Sequence, residues 1–380
     1  MKELSDCRVL IVDDVKANVD VLVEALQTDH KLAVALNGES ALKSIEKSPP
    51  DLVLLDIVMP GMDGYEVCRR LRANSKTQDI PVMFLSSLDE VKDKTQGFEA
   101  GGNDYLTKPF EVLEVKARVR SLLKAKAYSD AVKEKMAAEL AVARDIQLGI
   151  LPSNIAATVK GTHLDVYGKL VPAREVGGDL YEVLKLDDGR LLVAVGDVSG
   201  KGIPAALFMA VTTTLVRTMA RQHRKPDEIL LQVNDALVVQ NPRGMFVTML
   251  CMIIDPATGD VCCANAGHPP PVLIRPGADP QLVLNSTAMV AGVMAGIEIG
   301  CESIRLNPGE TLVLYTDGVT EAFDAQQQLF DESRLVACLE KAGALNAEEA
   351  GATVLEAVRR HAGDYPQSDD ITVVTVHRKE

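Results

Sequence analysis

The feature that most constrains the fold is a series of short apolar runs in the first third of the chain. RVLIV (8–12), LVLLD (52–56) and PVMFLS (81–86) are as apolar as strands that are buried on both faces. LAVAL (32–36) and DYLT (104–107) are weaker strand candidates. Helical patterns occupy the intervals near 16–27, 38–47, 63–73 and 90–100. The alternation predicts a doubly wound α/β domain with a five-stranded parallel sheet.

Polar residues stand at the carboxyl ends of these strands, where doubly wound domains bind their ligands. Asp13 and Asp14 follow the first strand, Asp56 ends the third, Ser86 ends the fourth, and Lys108 follows the fifth. Three convergent carboxylates repel one another unless a divalent cation joins them. One of them can then attack a phosphoryl group, whose oxygens the hydroxyl and the lysine can hold. A single Asp at a strand end is often only a helix cap, so the prediction depends on all five residues.

Residues 6–124 resemble the response-regulator receiver family. The matching stretches are LIVDD, LLDIVMPGMDGYE, PVMFLSS and DYLTKPF, in the family's order. The resemblance implies that a partner histidine kinase phosphorylates Asp56 and that Ser86 and Tyr105 form the switch pair, with Lys108 contacting the phosphate. The Mg²⁺ ligands that it implies are Asp13, Asp14, Asp56 and the backbone carbonyl of Val58. Ser86 replaces the commoner threonine and keeps the hydroxyl.

Residues 112–150 contain almost no Gly or Pro before Gly149, which favours one long helix. Apolar residues follow a 3-4-3 spacing from Val112 to Leu122, and a similar spacing resumes from Val132 to Ile146. The pattern predicts a helix that leaves the first domain and pairs with a second copy of the chain as a coiled coil. The alternative is an ordinary amphipathic helix packed on its own chain.

From about residue 160 the pattern changes to an α+β domain built on antiparallel sheet. The strand-like runs are LDVYGKLV, RLLVAVGDV, MFVTMLCMIID, VCCANAG, TLVLYTDGV and ITVVTVH. A hairpin is predicted at the turn DDG (187–189), and helices at about 203–221, 226–240 and 331–360. We therefore expect a receiver domain over 1–124, a linker helix over 125–152 and a second domain over 153–380.

The stretch GDVSGKG (196–202) has the glycines and lysine of a phosphate-binding loop but not the P-loop spacing. Its Asp197 would repel a phosphate unless a cation lay between them. Other acidic residues beside apolar runs are Asp179 in REVGGDLYEV, Asp317 in LYTDGV, and Asp369-Asp370 in QSDDITVV. Carboxylates without His or Cys suit Mg²⁺ or Mn²⁺. A pair of such ions can activate hydroxide for attack on a phosphate ester, so GDVSGKG is predicted to be a metal loop.

Residues from about 140 to 377 resemble the metal-dependent Ser/Thr protein phosphatases of type 2C, most closely the bacterial branch that controls sporulation and stress sigma factors. The stretches that carry the resemblance are ARDIQLGILP, PAREVGGDLYEV, VGDVSGKGIPAALFMA, MFVTMLCMIID, NAGHPPPVLI, LYTDGVTEA and SDDITVV. The resemblance implies a central antiparallel β-sandwich flanked by helices, and two Mn²⁺ or Mg²⁺ ions bridged by Asp179 and Asp197. The further ligands that it implies are the Gly200 carbonyl, Asp317 and Asp369. Asp370, which stands where eukaryotic relatives carry Asn, is a further candidate ligand.

The expected function is a two-component response regulator in which receiver phosphorylation controls a metal-dependent phosphatase. By resemblance, its substrate is a phosphorylated anti-sigma-factor antagonist. The alternative is a non-catalytic adaptor that binds a sigma-factor regulatory partner in a phosphorylation-dependent way. Three residues have open roles: His268 as general acid or structural turn residue, and Arg174 and Lys201 as phosphate contacts or solvated surface cations.

The composition limits which classes of partner the protein is expected to bind and which cellular compartment it is expected to occupy. The net charge of −14 argues against nucleic acid as a general partner. No run of 18 apolar residues occurs and the start, MKELSDCRVL, is acidic and polar, so we expect neither a transmembrane helix nor a signal peptide. The seven cysteines are scattered and include no C-x-x-C, which is typical of small buried residues in a cytoplasmic protein.

Overall fold

The computed structural model describes residues 3–86, 99–239, 241–340 and 345–380. The chain forms two compact units, Met1–Ala138 and Glu139–Glu380. One helix, Val112–Ile150, begins in the first unit and ends in the second. The long helix that the sequence predicts is therefore confirmed.

The first unit contains a fully parallel sheet in the order β2-β1-β3-β4-β5. The strands are β1 Arg8–Val12, β2 Lys31–Ala35, β3 Leu52–Asp56, β4 Val82–Ser86 and β5 Asp104–Thr107. The helices are α1 Lys16–Leu26, α2 Gly38–Lys47, α3 Gly64–Ala73 and α4 Val112–Ile150, with a 3₁₀ turn at Leu4–Asp6. The predicted doubly wound sheet is confirmed, while the helix predicted near 90–100 falls mostly outside the described residues.

Alternation of side chains along β1 and β3 divides the apolar core of this unit into two layers. Leu10 and Leu55 face one layer, whereas Ile11 and Leu54 face the other. Because successive residues of a strand point to opposite faces, wholly apolar strands require cover on both sides. The helices provide that cover, and the start of α4 joins one layer through the buried side chains Val115, Val119 and Leu123.

The second unit is a sandwich of two antiparallel five-stranded sheets, ordered β13-β10-β9-β8-β7 and β12-β11-β14-β15-β6. The strands are β6 Leu164–Val171, β7 Leu180–Lys185, β8 Leu191–Val198, β9 Val247–Ile254, β10 Asp260–Ala266, β11 Val272–Ile274, β12 Gln281–Leu282, β13 Glu302–Arg305, β14 Thr311–Tyr315 and β15 Ile371–Arg378. The helices are α5 Ile155–Thr158, α6 Ile203–Gln222, α7 Pro226–Val239, α8 Asp317–Thr320, α9 Asp331–Glu340 and α10 Ala347–Ala362. The pair α6 and α7 packs on the first sheet, and α9 and α10 pack on the second, so the predicted flanked sandwich is confirmed.

Two predictions for this unit need correction. The helix predicted over 331–360 is two helices, because Asn346 begins α10 with a capping box: its side chain accepts the N–H of Glu349, whose side chain accepts the N–H of Asn346. Strands β11, β12 and β13 were not predicted, since runs of two to four residues are too short to show alternation. The predicted hairpin at DDG is confirmed and pairs Lys185 with Leu191.

Helix α6 is long and apolar enough to cross a membrane by length and composition alone. Core helices of globular domains pass the same test. In this unit Ala205, Met209, Val216 and Ala220 of α6 are buried in the core that the two sheets share. The packing therefore accounts for the apolar residues on one face of this helix, while Ile203, Leu207 and Val211 are exposed.

Candidate functional site

An acidic cluster lies at the carboxyl ends of β1 and β3. Asp13, Asp14 and Asp56 each place a carboxylate oxygen within 4.8 Å of the others, and Asp13 and Asp56 are buried. Lys108 Nζ lies 2.8 Å from Oδ2 of Asp13 and 2.8 Å from Oδ2 of Asp56. Burial raises the pKa of Asp56 although Lys108 opposes the rise. Three carboxylates around one ammonium leave negative charge uncompensated, so this donor set suits a divalent cation.

The predicted switch residues, Ser86 and Tyr105, lie in β4 and β5 of the same sheet. Ser86 ends β4 and Tyr105 lies in β5, and both are buried. The hydroxyl of Tyr105 is 3.0 Å from the hydroxyl of Tyr65, which lies inside the quoted motif but was not singled out. The sequence analysis also missed Asn18, whose amide donates to both oxygens of Asp13 at 3.1 Å. Nothing in the sequence marks Asn18 except its place in the first turn of α1.

The acidic residues of the second unit come from both sheets. Asp179 immediately precedes β7, Asp197 lies near the end of β8, Asp317 begins α8, and Asp369 lies two residues before β15. Asp179 and Asp197 lie close enough for their side chains to interact directly. Four carboxylates that are separated by up to 190 positions in the sequence thus lie close together in the folded unit.

Burial and mutual repulsion dominate the electrostatics of this group. Burial, followed by the charge of Asp197, holds the pKa of Asp179 well above its ordinary value. Burial, followed by the charges of Asp317 and Asp369, raises the pKa of Asp197 to about 7. Burial also raises the pKa of Asp317, with Glu321 and Asp369 adding to the shift. Asp179 is buried, and Asp197, Asp317 and Asp369 are half-buried. Carboxylates that repel one another in such surroundings are the expected donor set of a hard divalent cation, which would relieve the repulsion.

Two threonines orient the most deeply buried of these carboxylates. The hydroxyls of Thr316 and Thr372 donate to the same Oδ2 of Asp179, at 2.8 Å and 2.6 Å. The backbone N–H of Thr372 donates in turn to the Thr316 hydroxyl at 3.0 Å. Sequence reasoning missed both residues. Their only signal is position, since each lies within three residues of a predicted ligand, in TDG and in DDIT.

Asp370 anchors the loop that carries Asp179. Its Oδ1 accepts the N–H of Ala173 and its Oδ2 accepts the N–H of Gly178, both at 2.8 Å. A Cβ added at Gly177 would lie 1.7 Å from Oδ2 of Asp370, so the loop can approach only because that residue is glycine. With backbone donors on both oxygens, Asp370 acts as a structural anchor of this loop.

The stretch GDVSGKG comprises the last three residues of β8 and the turn that leads into α6. Gly200 and Gly202 have φ angles of 87° and 75°, which favour glycine. Lys201 Nζ contacts Oδ2 of Asp369 at 2.7 Å and the carbonyl of Ser368 at 2.8 Å. Lys201 is therefore paired with the acidic group rather than simply solvated.

His268 and Arg174, whose roles the sequence left open, lie in contrasting surroundings. His268 is buried, its Nδ1 is 2.9 Å from the Thr248 hydroxyl, and its backbone N–H donates to Asn265 Oδ1. Burial lowers the pKa of His268 to about 4, so the imidazole is neutral at neutral pH. These contacts favour the structural turn over the general acid. Arg174 is exposed.

Residues 187–379, about half of the chain, match the family model described as Stage II sporulation protein E. This chain belongs to that family. In this SpoIIE family member, residues 9–120 also match the response regulator receiver domain. The receiver match lies within the first unit of the structure, and the SpoIIE match lies within the second.

Individual relatives each cover part of this SpoIIE family member. Response regulator PleD of Caulobacter vibrioides is 41% identical over 131 residues, which are 34% of this chain and 29% of that protein. Protein IcfG of Synechocystis is 28% identical over 271 residues, 63% of this chain and 41% of that protein. The SiaA-PP2C domain of Pseudomonas aeruginosa has a TM-score of 0.57 and 25% identity, covering 66% of this chain and 99% of that domain. The chain thus spans less than half the length of both curated relatives, and the similarities support a receiver domain fused to a PP2C-type protein phosphatase domain.

Proposed function

We propose that this protein is a response regulator in which phosphorylation of the receiver controls a Mn²⁺- or Mg²⁺-dependent protein serine/threonine phosphatase. The observation that carries the catalytic half is the convergence of Asp179, Asp197, Asp317 and Asp369 at one end of the sandwich. Divalent cations bound there would neutralise the phosphate and lower the pKa of an attacking water. The family match and the likeness to the SiaA-PP2C domain support the same conclusion.

Each predicted metal ligand of the second unit, and each residue that contacts one of them, has a proposed role. Asp179, Asp197, Asp317, Asp369 and the backbone carbonyl of Gly200 would hold the divalent cations, with Asp179 and Asp197 as the ligands that two cations would share. Thr316 and Thr372 fix the orientation of the Asp179 carboxylate. Lys201 balances part of the charge of Asp369. Asp370, the other candidate ligand, supports the site by holding the backbone of the Asp179 loop.

In the first unit, Asp56 is the proposed phosphoacceptor. Its carboxylate oxygen attacks the phosphorus of a phosphohistidine, the P–N bond breaks, and an acyl phosphate forms. Lys108, which already contacts Asp56, would bind the phosphoryl oxygens, and Mg²⁺ held by Asp13 and Asp14 would offset their charge. Ser86 and Tyr105 are the proposed switch pair, since β4 lies beside β3 in the sheet and β5 lies beside β4.

The proposed substrate is a phosphoserine or phosphothreonine on an anti-sigma-factor antagonist in the cytoplasm. Support for this substrate comes from the family to which the chain belongs. Dephosphorylated antagonist would bind the anti-sigma factor and release a sigma factor. The receiver would make this step depend on a histidine kinase.

We also propose that α4 pairs with α4 of a second copy. The buried side chains of α4 all lie near its start, at Val115, Val119 and Leu123. Further along, large apolar side chains are exposed: Val132 40%, Met136 57%, Val142 59% and Ile146 64%. A second helix would remove this apolar surface from water.

Hydrolysis of para-nitrophenyl phosphate and of a phosphoserine peptide tests the catalytic proposal. Activity should require Mn²⁺ or Mg²⁺, be lost on chelation and survive thiol alkylation. Asp179→Ala and Asp197→Ala should each lower turnover by about 100-fold or more, because each removes a shared ligand. Asp187→Ala, which changes an exposed carboxylate of the β7–β8 turn, is the matched control and should be neutral. If both site variants kept wild-type turnover at saturating metal, the two-metal site would be refuted, and absence of hydrolysis in the wild type would favour the adaptor.

A further inference from the structure

The side-chain amide of Gln147 pairs with the backbone of Gly177 in both directions. Its Nε2 donates to the Gly177 carbonyl at 2.6 Å, and its Oε1 accepts the Gly177 N–H at 3.1 Å. Gln147 lies in the last turn of α4, and Gly177 lies two residues before Asp179. The N–H and the C=O of Gly177 lie in the two peptide units on either side of its Cα. Because one planar amide holds both groups, the contact restricts rotation about the Gly177 backbone as well as its position.

Asp370 supports the same segment from the other side. It accepts the N–H of Gly178, and a Cβ at Gly177 would collide with it at 1.7 Å. The two glycines are thus enclosed between Gln147 and Asp370. A segment with two glycines has high conformational freedom when unsupported, so these side chains determine where the next residue, Asp179, points.

The end of α4 that carries Gln147 is itself tied to the phosphatase core. Arg217 of α6 donates to the carbonyl of Ile150, the last residue of α4, and also to Glu182 on β7. Glu182 is 1% exposed, so the ion pair is anchored inside the domain. The last turn of α4 and the strand that follows Asp179 therefore share one arginine.

From these contacts we infer that Gln147 is a positioning residue for Asp179: it holds the Gly177–Gly178 segment so that the Asp179 carboxylate is oriented to bind a cation. The inference depends on the proposed metal-dependent function of the second unit. It makes the last turn of the linker helix part of the support of the metal site. A substitution in that turn would then weaken metal binding while the domain stays folded.

The test is Mn²⁺ binding to the full-length chain, measured by the electron paramagnetic resonance signal of free Mn²⁺. Asp14→Asn and Asp56→Asn are present in every sample, which removes two of the three carboxylates of the receiver cluster. Gln147→Met keeps the length of the side chain and removes both hydrogen bonds, and Gln147→Ala is a second variant. Arg144→Ala, an exposed position in the same part of α4, is the control.

Both Gln147 variants should bind Mn²⁺ about tenfold more weakly than the control, which follows from the loss of two hydrogen bonds. Without metal, both variants should still be folded and unfold in one cooperative transition, since the sheets and their core are untouched, with at most the loss of stability expected from two hydrogen bonds. Excess Mn²⁺ should restore most of the turnover. If either folded Gln147 variant bound Mn²⁺ as tightly as the control, the inference about Gln147 would be wrong and the proposed function would stand. If the protein that carries only Asp14→Asn and Asp56→Asn did not bind Mn²⁺, the proposed function itself would be wrong.

Discussion

Replacing Thr372 with valine tests how Asp179 is held in the metal site, and it should disturb the fold less than replacing a carboxylate would. The Thr372 hydroxyl donates to Oδ2 of Asp179 at 2.6 Å, and both side chains are at most 2% exposed. Valine has nearly the same shape, so the substitution removes a donor without opening a cavity. Thr316 remains to donate to the same oxygen.

The magnitude follows from the charge on the acceptor. A hydrogen bond to an ionised group contributes about 1.5–3 kcal/mol, which corresponds to about 10- to 150-fold in an equilibrium constant. The bond favours the ionised form of Asp179, against the burial that raises its pKa. Because a cation binds the ionised carboxylate, Thr372→Val should weaken Mn²⁺ binding by a factor in this range.

The assay is turnover of para-nitrophenyl phosphate as a function of Mn²⁺ concentration, together with thermal unfolding of the metal-free protein. The half-saturating Mn²⁺ concentration should rise by about 10- to 150-fold while turnover at saturation largely recovers. Thr375→Val is the matched control, since Thr375 lies on the same strand, is buried and donates to the carbonyl of Ala347. That control should lose stability without a change in Mn²⁺ dependence. Equal Mn²⁺ dependence of Thr372→Val and wild type would refute the reasoning.

Two further predictions concern the receiver and the linker helix. Asp56→Asn should abolish the acid-labile phosphate formed with acetyl phosphate, while Ser86→Ala should still be labelled because its hydroxyl is not the nucleophile; labelling of Asp56→Asn would contradict the assignment. The double variant Val132→Glu and Met136→Glu should lower the mass measured by light scattering, because it places charge in the exposed apolar face of α4. Ala138→Glu, on the opposite side of the helix, should leave the mass unchanged, and a wild-type chain that is monomeric at high concentration would contradict pairing.

Much of the fold could be predicted because local patterns and global packing agree. The four consecutive apolar residues in RVLIV and in LVLLD favour strands with cover on both faces, and β1 and β3 have the predicted bounds. The acidic residues could be found for a related reason. A carboxylate next to an apolar run must lie where a strand meets a loop, so Asp13, Asp56 and Asp197 were identified from position alone.

Residue type and neighbours along the chain determined which groups could bind a cation, but the tertiary structure decided how they are held. Thr316 and Thr372 reach Asp179 across 137 and 193 positions, and Gln147 reaches Gly177 across 30. Such partners leave no periodic signal, because a hydroxyl or an amide next to a motif looks the same whether it is solvated or buried against a carboxylate. Only the folded sandwich brings the ends of β7, β8, β14 and β15 together and removes water from them. In the absence of water, each of these hydrogen bonds is stronger and the cost of losing it is larger. Because the desolvation arises only in the folded domain, these contacts could not be predicted from composition or spacing.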